Sequence, residues 1–276
     1  MIKAKRSVPY IVLIIASVIS VFPFLYMGVS ATNKSIDIIN GKLFPGTYLI
    51  ENLKNLLANQ SVGTALWNSF RYAVILTFIS LLVCSLAGYG FEIYHDKAKD
   101  ILMAVILMAM MVPFVATMIP LFQMFSKAKL LNTALGFVLP TISTPLMVMF
   151  FRQSARSFPY DIIEAAKIDG LNALQIFFRM FMPTMRSTYA AAATIIFMNA
   201  WNNYLWPKVI MLTEESITMP MLVANLTAGY VTDYGMLMLA VSICTLPTVI
   251  VFFALQKSFA EGITCLLYTS ILHSVL

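Results

Sequence analysis

Residues 164–183 read Glu-Ala-Ala-Lys-Ile-Asp-Gly-Leu-Asn-Ala-Leu-Gln-Ile-Phe-Phe-Arg-Met-Phe-Met-Pro, a polar-headed stretch set between long apolar blocks. Its grammar is helix, glycine break, helix, proline stop. Pro159 suits a first helical turn, where its missing N–H costs nothing. Ile162, Ala165, Ala166 and Asp169 recur at helical spacing and predict one face. Gly170 fits the position just past a helix end, because glycine enters the left-handed region without a Cβ penalty. Asn172 is placed to cap a second helix. Leu174, Phe177, Phe178 and Phe181 are expected on one side of that helix, and Pro183 is expected to end or kink it. The pair Ala165 and Ala166 leaves a smooth patch that another backbone or side chain can approach closely. The stretch reads as a short docking helix held out from a membrane domain. The blander alternative is an ordinary amphipathic loop helix.

Outward from this stretch the chain is oily. Of 276 residues, 60% are hydrophobic and only 11% are charged, and the mean hydropathy is +0.85. A soluble domain cannot hide that much apolar surface, so the bilayer is the solvent for most of it. The net charge of +6 does not indicate nucleic acid, because the basic residues are spread over loops and form no continuous patch. Anionic headgroups and the positive-inside rule account for them. Cys84, Cys244 and Cys265 lack metal-ligand spacing, and two of them lie in apolar runs and read as small hydrophobes. His95 and His273 form no zinc motif. No metal or cofactor is implied, and without a nucleotide-binding glycine loop any ATP chemistry belongs to another chain.

The apolar runs predict an all-α integral membrane protein with six transmembrane helices. They fall at residues 8–29, 65–91, 101–125, 135–151, 188–212 and 235–255. The first follows Lys3, Lys5 and Arg6 and is too long for a cleaved signal segment, so it reads as a retained span kinked by Pro23. The third contains Pro113 and Pro120, the fourth Pro140 and Pro145, the sixth Pro247; such prolines are tolerated where neighbours repair the backbone bonds. The many methionines near the third run suit a deformable packing surface. Arg71, near the outer end of the second span, either snorkels to the interface or lines an ion path. With the N-terminus inside, Lys97, Lys99, Arg152, Arg156, Lys167, Arg179, Arg186 and Lys257 join the N-terminal cluster on the inner side. Lys34, Lys42, Lys54, Lys127, Lys129 and Lys208 lie outside. That bias puts both termini and the Glu164 loop in the cytoplasm.

The fifth run carries Asn199, Trp201, Asn202, Asn203, Tyr204, Trp206 and Pro207. Asparagines in lipid need partners: they either bond neighbouring helices or face an aqueous path. The aromatic residues either stack on sugar rings or form an interfacial belt. The residues alone leave both questions open.

Resemblance to a known family narrows them. Glu164-Ala165-Ala166, Gly170 and the Met180-x-Met182-Pro183 ending resemble the EAA loop of permease subunits of ATP-binding-cassette importers, with Met at two positions where Ile and Leu are commoner. Trp201 to Pro207 resembles the Trp-Asn-x-aromatic-Leu-Trp-Pro block of MalG-like carbohydrate-uptake permeases. Met111-Val112-Pro113, Ile119-Pro120-Leu121-Phe122 and Leu130-Leu131-Asn132-Thr133 with Gly136 resemble the same family. The likeness runs from the first span to about Thr264, so residues 1–264 read as the permease domain. Residues 265–276 depart from it and read as a foreign, truncated or out-of-frame tail.

The resemblance implies a type I ABC importer permease fold in the bacterial inner membrane. It implies a heterodimer with a second permease subunit, an ATP-binding-cassette ATPase dimer and an extracytoplasmic solute-binding protein. Glu164, Ala165, Ala166, Asp169 and Gly170 become the coupling helix that enters a cleft on the ATPase. Asn199, Trp201, Asn202, Asn203 and Tyr204 become candidates for the translocation pathway. The function implied is sugar import, with a polyamine or an amino acid as the alternative cargo. A membrane-embedded enzyme would need paired carboxylates, a His cluster or a nucleophile–base pair inside the spans, and the acids lie almost wholly in loops. Absence of a strong internal duplication argues against a secondary carrier.

Overall fold

The computed structural model describes the backbone of residues 2–229 and 232–275 and the side chains of residues 9–229 and 232–256. The tail expected to be foreign, residues 265–276, has its side chains outside the described residues, as does Lys257. Helices in chain order are α1 (Ile2–Ser30), α2 (Ser35–Ile39), α3 (Leu49–Asn59), α4 (Val62–Ile93), α5 (Lys97–Ala109), α6 (Phe114–Lys127), α7 (Ala134–Val138) and α8 (Pro145–Ala155). They continue with α9 (Tyr160–Ile168), α10 (Ala173–Ile176), α11 (Met182–Thr184), α12 (Arg186–Trp201), α13 (Leu205–Ile210), α14 (Met219–Leu226) and α15 (Tyr234–Val275). Among the described residues there is no strand.

Among the described residues, three helices are long and apolar enough to cross a bilayer: Pro9–Ser30, Val62–Ile93 and Tyr234–Gln256. Counting each of two bent pairs as one span raises the number to five. The expected continuous run at 101–125 is instead α5 and α6, bent by 95°. The break lies at Pro113, which stands just before α6 in extended conformation (φ −60°, ψ 128°). Proline lacks the N–H that would continue α5 and pushes Val112 out of the helical region. Pro120, by contrast, sits inside α6. The 135–151 run is likewise two pieces bent by 56°, with Pro140 in a tight 3-10 turn at Leu139–Thr141 and Pro145 opening α8. The expected fifth span at 188–212 ends early. Helix α12 has 16 residues, about 24 Å at 1.5 Å per residue, which is short of a hydrocarbon core of about 30 Å.

The chain divides into two compact units. The first comprises residues 1–66 and 219–247. Its α1 is apolar and exposed from residue 9 through Leu25. Its connecting loop is tied by buried Asn52, whose Nδ2 donates to the carbonyls of Ala31 (2.9 Å) and Asn33 (3.0 Å). Gly235 leaves room for that amide, since a Cβ there would meet Asn52 Nδ2 at 2.7 Å. Asp233 starts α15: its Oδ1 accepts from the amides of Gly235 (3.0 Å) and Met236 (3.2 Å) and from Ser35 Oγ (2.7 Å).

The second unit comprises residues 67–218 and 248–276. Helices α4 and α8 meet closely at Gly88, where an added Cβ would lie 2.6 Å from both the Arg152 amide nitrogen and Phe151 Cβ. Small residues at a crossing let two backbones approach in this way. Arg152, at the end of α8, is only 7% exposed. Its Nε donates to Glu92 Oε2 (3.1 Å) on α4, and its Nη2 donates to Asp100 Oδ1 (2.6 Å) on α5. Arg156 reaches the other Glu92 oxygen at 3.2 Å, and His95 lies 2.8 Å from Asp100. Asp96 caps α5, and the hydrogen bond from Lys99 holds its carboxyl below the usual carboxylate range.

Candidate functional site

Two places in the second unit gather the residues singled out in the sequence. The first is α9 with the turn that follows it. Pro159 stands one residue before the helix, as its N-cap, rather than inside the first turn. At the far end Asp169 is the C-cap and Gly170 takes φ +81°. The amide of Gly170 donates to the Lys167 carbonyl and that of Leu171 to the Ala166 carbonyl, both at 3.0 Å. This paired closure is the Schellman arrangement, which needs a left-handed residue at that point. Asn172 then caps α10 as expected. Its Oδ1 accepts from the Gln175 amide (2.9 Å), while Gln175 Oε1 accepts from the Asn172 amide (2.8 Å). Both orphan donors are thereby satisfied.

The buried side of α9 differs from the predicted face. Ile163 and Ala166 are buried, Ile162 packs against them, and Ala165 and Asp169 are exposed. So Ala166 is not part of an open smooth patch; it is buried in an apolar cluster against which Leu171 also packs. The aromatic run also splits. Phe177 and Phe181 are buried while Leu174 and Phe178 are exposed: each pair is four residues apart, on neighbouring stripes of the helix, and only one stripe faces the core. Residues Phe177–Phe181 form a π-turn. Ile163, Ala166, Phe177 and Phe181 share one apolar cluster with Tyr89 of α4 and Ala155 of α8. Tyr89 lies 5.3 Å from Phe177 and 4.9 Å from Phe181, ring centre to ring centre. Glu164, Lys167, Ile168, Asp169 and Gly170 stay exposed, Ile168 at 86%.

The second place is the end of α12. Helix α12 stops at Trp201, Asn202 is its C-cap, and α13 begins at Leu205. Asn199 and Asn202 are exposed, and Asn203 and Tyr204 are half-buried. Asn202 Nδ2 donates to the Met198 carbonyl of its own helix (2.9 Å). The side chains of Asn199 and Asn203 face a cavity of ≈ 320 Å³. An adjoining cavity of ≈ 350 Å³ is bounded by Asn199, Asn202, Asn203 and Tyr204. Trp201 is 1% exposed, stacks on Phe197 at 6.0 Å, and lines neither cavity. Trp206 is fully buried: Nε1 donates to the Gly136 carbonyl (3.0 Å), and its ring meets Phe125 edge-on at 5.5 Å. The two indoles of the block thus belong to the core and offer no open face to a sugar.

The remaining motif residues hold that corner in place. Asn132 takes φ 58°, and its Oδ1 accepts from the Leu212 amide (2.5 Å) and from Ser216 Oγ (3.1 Å). Thr133 caps α7, accepting from the Gly136 amide at 3.0 Å. Arg71 lies over the Tyr72 ring at 5.0 Å and lines neither cavity.

Sequence reasoning missed the opposite cavity wall, formed by Leu76 and Ser80 of α4 with Thr141 and Thr144. The available signal was the Leu76, Ser80, Cys84 stripe at spacing four, which sets one polar residue on an apolar helix face. It also missed the Glu92, Asp100 and Arg152 clamp, whose members were read only as loop charges.

Comparison with known proteins follows the same outline. The family described as "Binding-protein-dependent transport system inner membrane component" matches residues 85–264. The chain is 44% identical over 255 residues to the lactose transport system permease protein LacG of Rhizobium radiobacter, covering 92% of this chain and 93% of that protein. It is 32% identical to the arabinooligosaccharides transport system permease protein AraQ of Halalkalibacterium halodurans, covering 89% and 90%. It is 27% identical to the sn-glycerol-3-phosphate transport system permease protein UgpE of Yersinia pestis, covering 95% and 98%. Among solved structures, a chain of a bacterial ABC transporter that imports alginate superposes with a TM-score of 0.79 at 20% identity, covering 93% of this chain and 97% of that one. At that identity the likeness concerns the fold.

Proposed function

The chain belongs to the family of binding-protein-dependent transport system inner membrane components, and from that premise we propose that it is the permease subunit of an ATP-driven sugar importer. It forms half of the translocation pathway, paired with a second permease. An ATPase dimer sits on its cytoplasmic side, and a solute-binding protein delivers cargo from outside. Both termini lie in the cytoplasm. Six crossings result if α12 and the α13 turn together complete the one that α12 alone is too short to make.

One observation carries this reading: the α9 segment is a rigid knob with an exposed head and an anchored base. Its head is Glu164, Ala165, Ile168, Asp169 and Gly170. Its base is locked by the Schellman closure, the Asn172 capping box and the cluster around Tyr89. A bare Ile168 invites a partner, since burying an isoleucine side chain is worth about 1.5–3 kcal/mol. A cleft on an ATPase meets that need and receives the head as a unit. When ATP closes the ATPase dimer, the knob moves with it and tilts the helices to which it is packed. Cargo crosses without covalent change.

Cysteine at Ile168 tests this. In the assembled importer it is expected to crosslink to the ATPase and to be shielded from a membrane-impermeant thiol reagent added outside. Labelling from the exterior, or no crosslink in a complex that hydrolyses ATP, would overturn the assignment.

A further inference from the structure

The two cavities beside α12 share Thr141, Asn199 and Asn203, and among the described residues no Asp, Glu, Lys, Arg or His lines either one. Resting on the importer reading above, we propose that this chain itself supplies a transient binding site for an uncharged sugar, with Ser80, Thr141 and Thr144 on one wall and Asn199 and Asn203 on the other.

The chemistry of the lining carries the argument. Side chains of Asn199 and Asn203 hydrogen-bond to no described residue, so each amide keeps a donor and an acceptor to offer. Among the described residues the Ser80 hydroxyl meets only the Cys84 sulfur, at 3.6 Å, a weak partner. Sugar hydroxyls both donate and accept, and amides and hydroxyls answer both needs. The rest of the wall is apolar, including Leu76 and Met147, and suits the C–H faces of a ring. A volume of ≈ 320 Å³ sits at the lower end of the roughly 300–1,000 Å³ of small-molecule sites.

A phosphate or carboxylate fits poorly. Stripping water from an anion with no cation opposite costs far more than doing so for a hydroxyl. Helix ends give no net remedy. The cavity touches the N-terminus of α8 at Thr144 and Leu146, which attracts anions, and the C-terminus of α12 at Asn199 and Ala200, which repels them.

The test uses the complete importer in sealed vesicles, with its binding protein saturated by lactose, by an arabinooligosaccharide or by glycerol 3-phosphate. Asn199→Ala, at an exposed position, and Thr141→Val are each expected to slow uptake of the neutral sugar about 2- to 10-fold, the effect of one hydrogen bond. ATP hydrolysis stimulated by the loaded binding protein is expected to stay within twofold of wild type. Thr117→Val, whose hydroxyl bonds its own helix at the Phe114 carbonyl, serves as the unaffected control. Neutral-sugar uptake unchanged in both variants overturns the proposal. So does a parallel fall in uptake and hydrolysis in both, which would make the residues structural. Transport of glycerol 3-phosphate alone overturns it and the sugar cargo with it, and leaves standing only an ATP-driven importer. Wild-type ATP hydrolysis that never responds to the loaded binding protein defeats the importer reading instead.

Discussion

Gly88 and Gly90 lie two residues apart in α4, and the structure predicts opposite outcomes for the same substitution. A Cβ at Gly90 would meet nothing within 4 Å. At Gly88 it would lie 2.6 Å from the Arg152 amide nitrogen, 2.6 Å from Phe151 Cβ and 2.8 Å from the Phe151 carbonyl carbon. Two of those atoms are backbone, so no rotamer change relieves the clash; α8 must back away. Replacing a mid-helix glycine by alanine gains about 0.5–1 kcal/mol in helix preference. Gly90→Ala is expected to show that gain. Gly88→Ala receives the same gain, offset by an overpacking cost of about 1–3 kcal/mol. The difference between the two variants cancels the helix term and isolates the steric one, about 2 kcal/mol. At about 2–4 °C per kcal/mol for a chain of this size, midpoints of thermal unfolding should separate by about 4–8 °C, with Gly88→Ala the lower. Displacing α8 also loosens the Arg152 bond to Glu92, so the cost falls toward the upper end. The assay is thermal unfolding of purified protein in detergent, run side by side. Equal midpoints, or a more stable Gly88→Ala, would refute the close α4–α8 contact.

Two further substitutions probe the knob and its support. Gly170→Val forces a β-branched residue to φ +81°, a strain of about 1–3 kcal/mol; uptake in reconstituted vesicles should fall while the ATPase still hydrolyses, and normal uptake would contradict the coupling role. Arg152→Met removes the bond to the mostly buried Glu92, which keeps Arg156 at 3.2 Å, and should lower stability by about 1.5–3 kcal/mol; a midpoint within a degree of wild type would show that the ion cluster contributes nothing.

Local signals survived the passage from sequence to structure, and long-range ones did not. Gly170 and Asn172 behave as read because a helix end is settled by residues within one turn of it. By sequence Pro113 reads as a proline tolerated inside one span, and a bend of 95° is set by what α5 and α6 pack against, which no single run encodes. The face of α9 was misjudged for a related reason. Ala165 and Ala166 are alike as residues, and only the position of Tyr89 and Phe177 decides that Ala166 turns inward. Trp201 and Trp206 were open between sugar stacking and an interfacial belt, and both are core. An indole reads the same by periodicity whether it faces cargo or its neighbours. Arg152 was counted as a topology marker, and its role depends on Glu92 and Asp100, 60 and 52 residues away.

Placement along α4 ties these parts into one mechanical proposition. Within the second unit, Ser80 of α4 lines the cavity, Tyr89 receives the aromatic base of the knob, and Glu92 receives Arg152. Nine residues separate Ser80 from Tyr89, about 14 Å of helix, and no proline interrupts them. The facing wall is built differently, with Thr141 and Thr144 at the 3-10 turn and the break that precedes α8. One wall is therefore continuous with the knob, and the other stands at a bend where backbone hydrogen bonds are already interrupted. On the proposed coupling, a displacement delivered at Tyr89 would be carried to Ser80 along one uninterrupted helix, and the bend at Thr141 would take up the difference. Gly88, one residue from Tyr89, sets how closely α8 follows that motion. If the α4–α8 contact transmits the stroke, uptake by Gly88→Ala should fall further than its loss of stability at the assay temperature explains. Uptake that tracks only the amount of folded protein would mean the contact holds the helices together and transmits nothing.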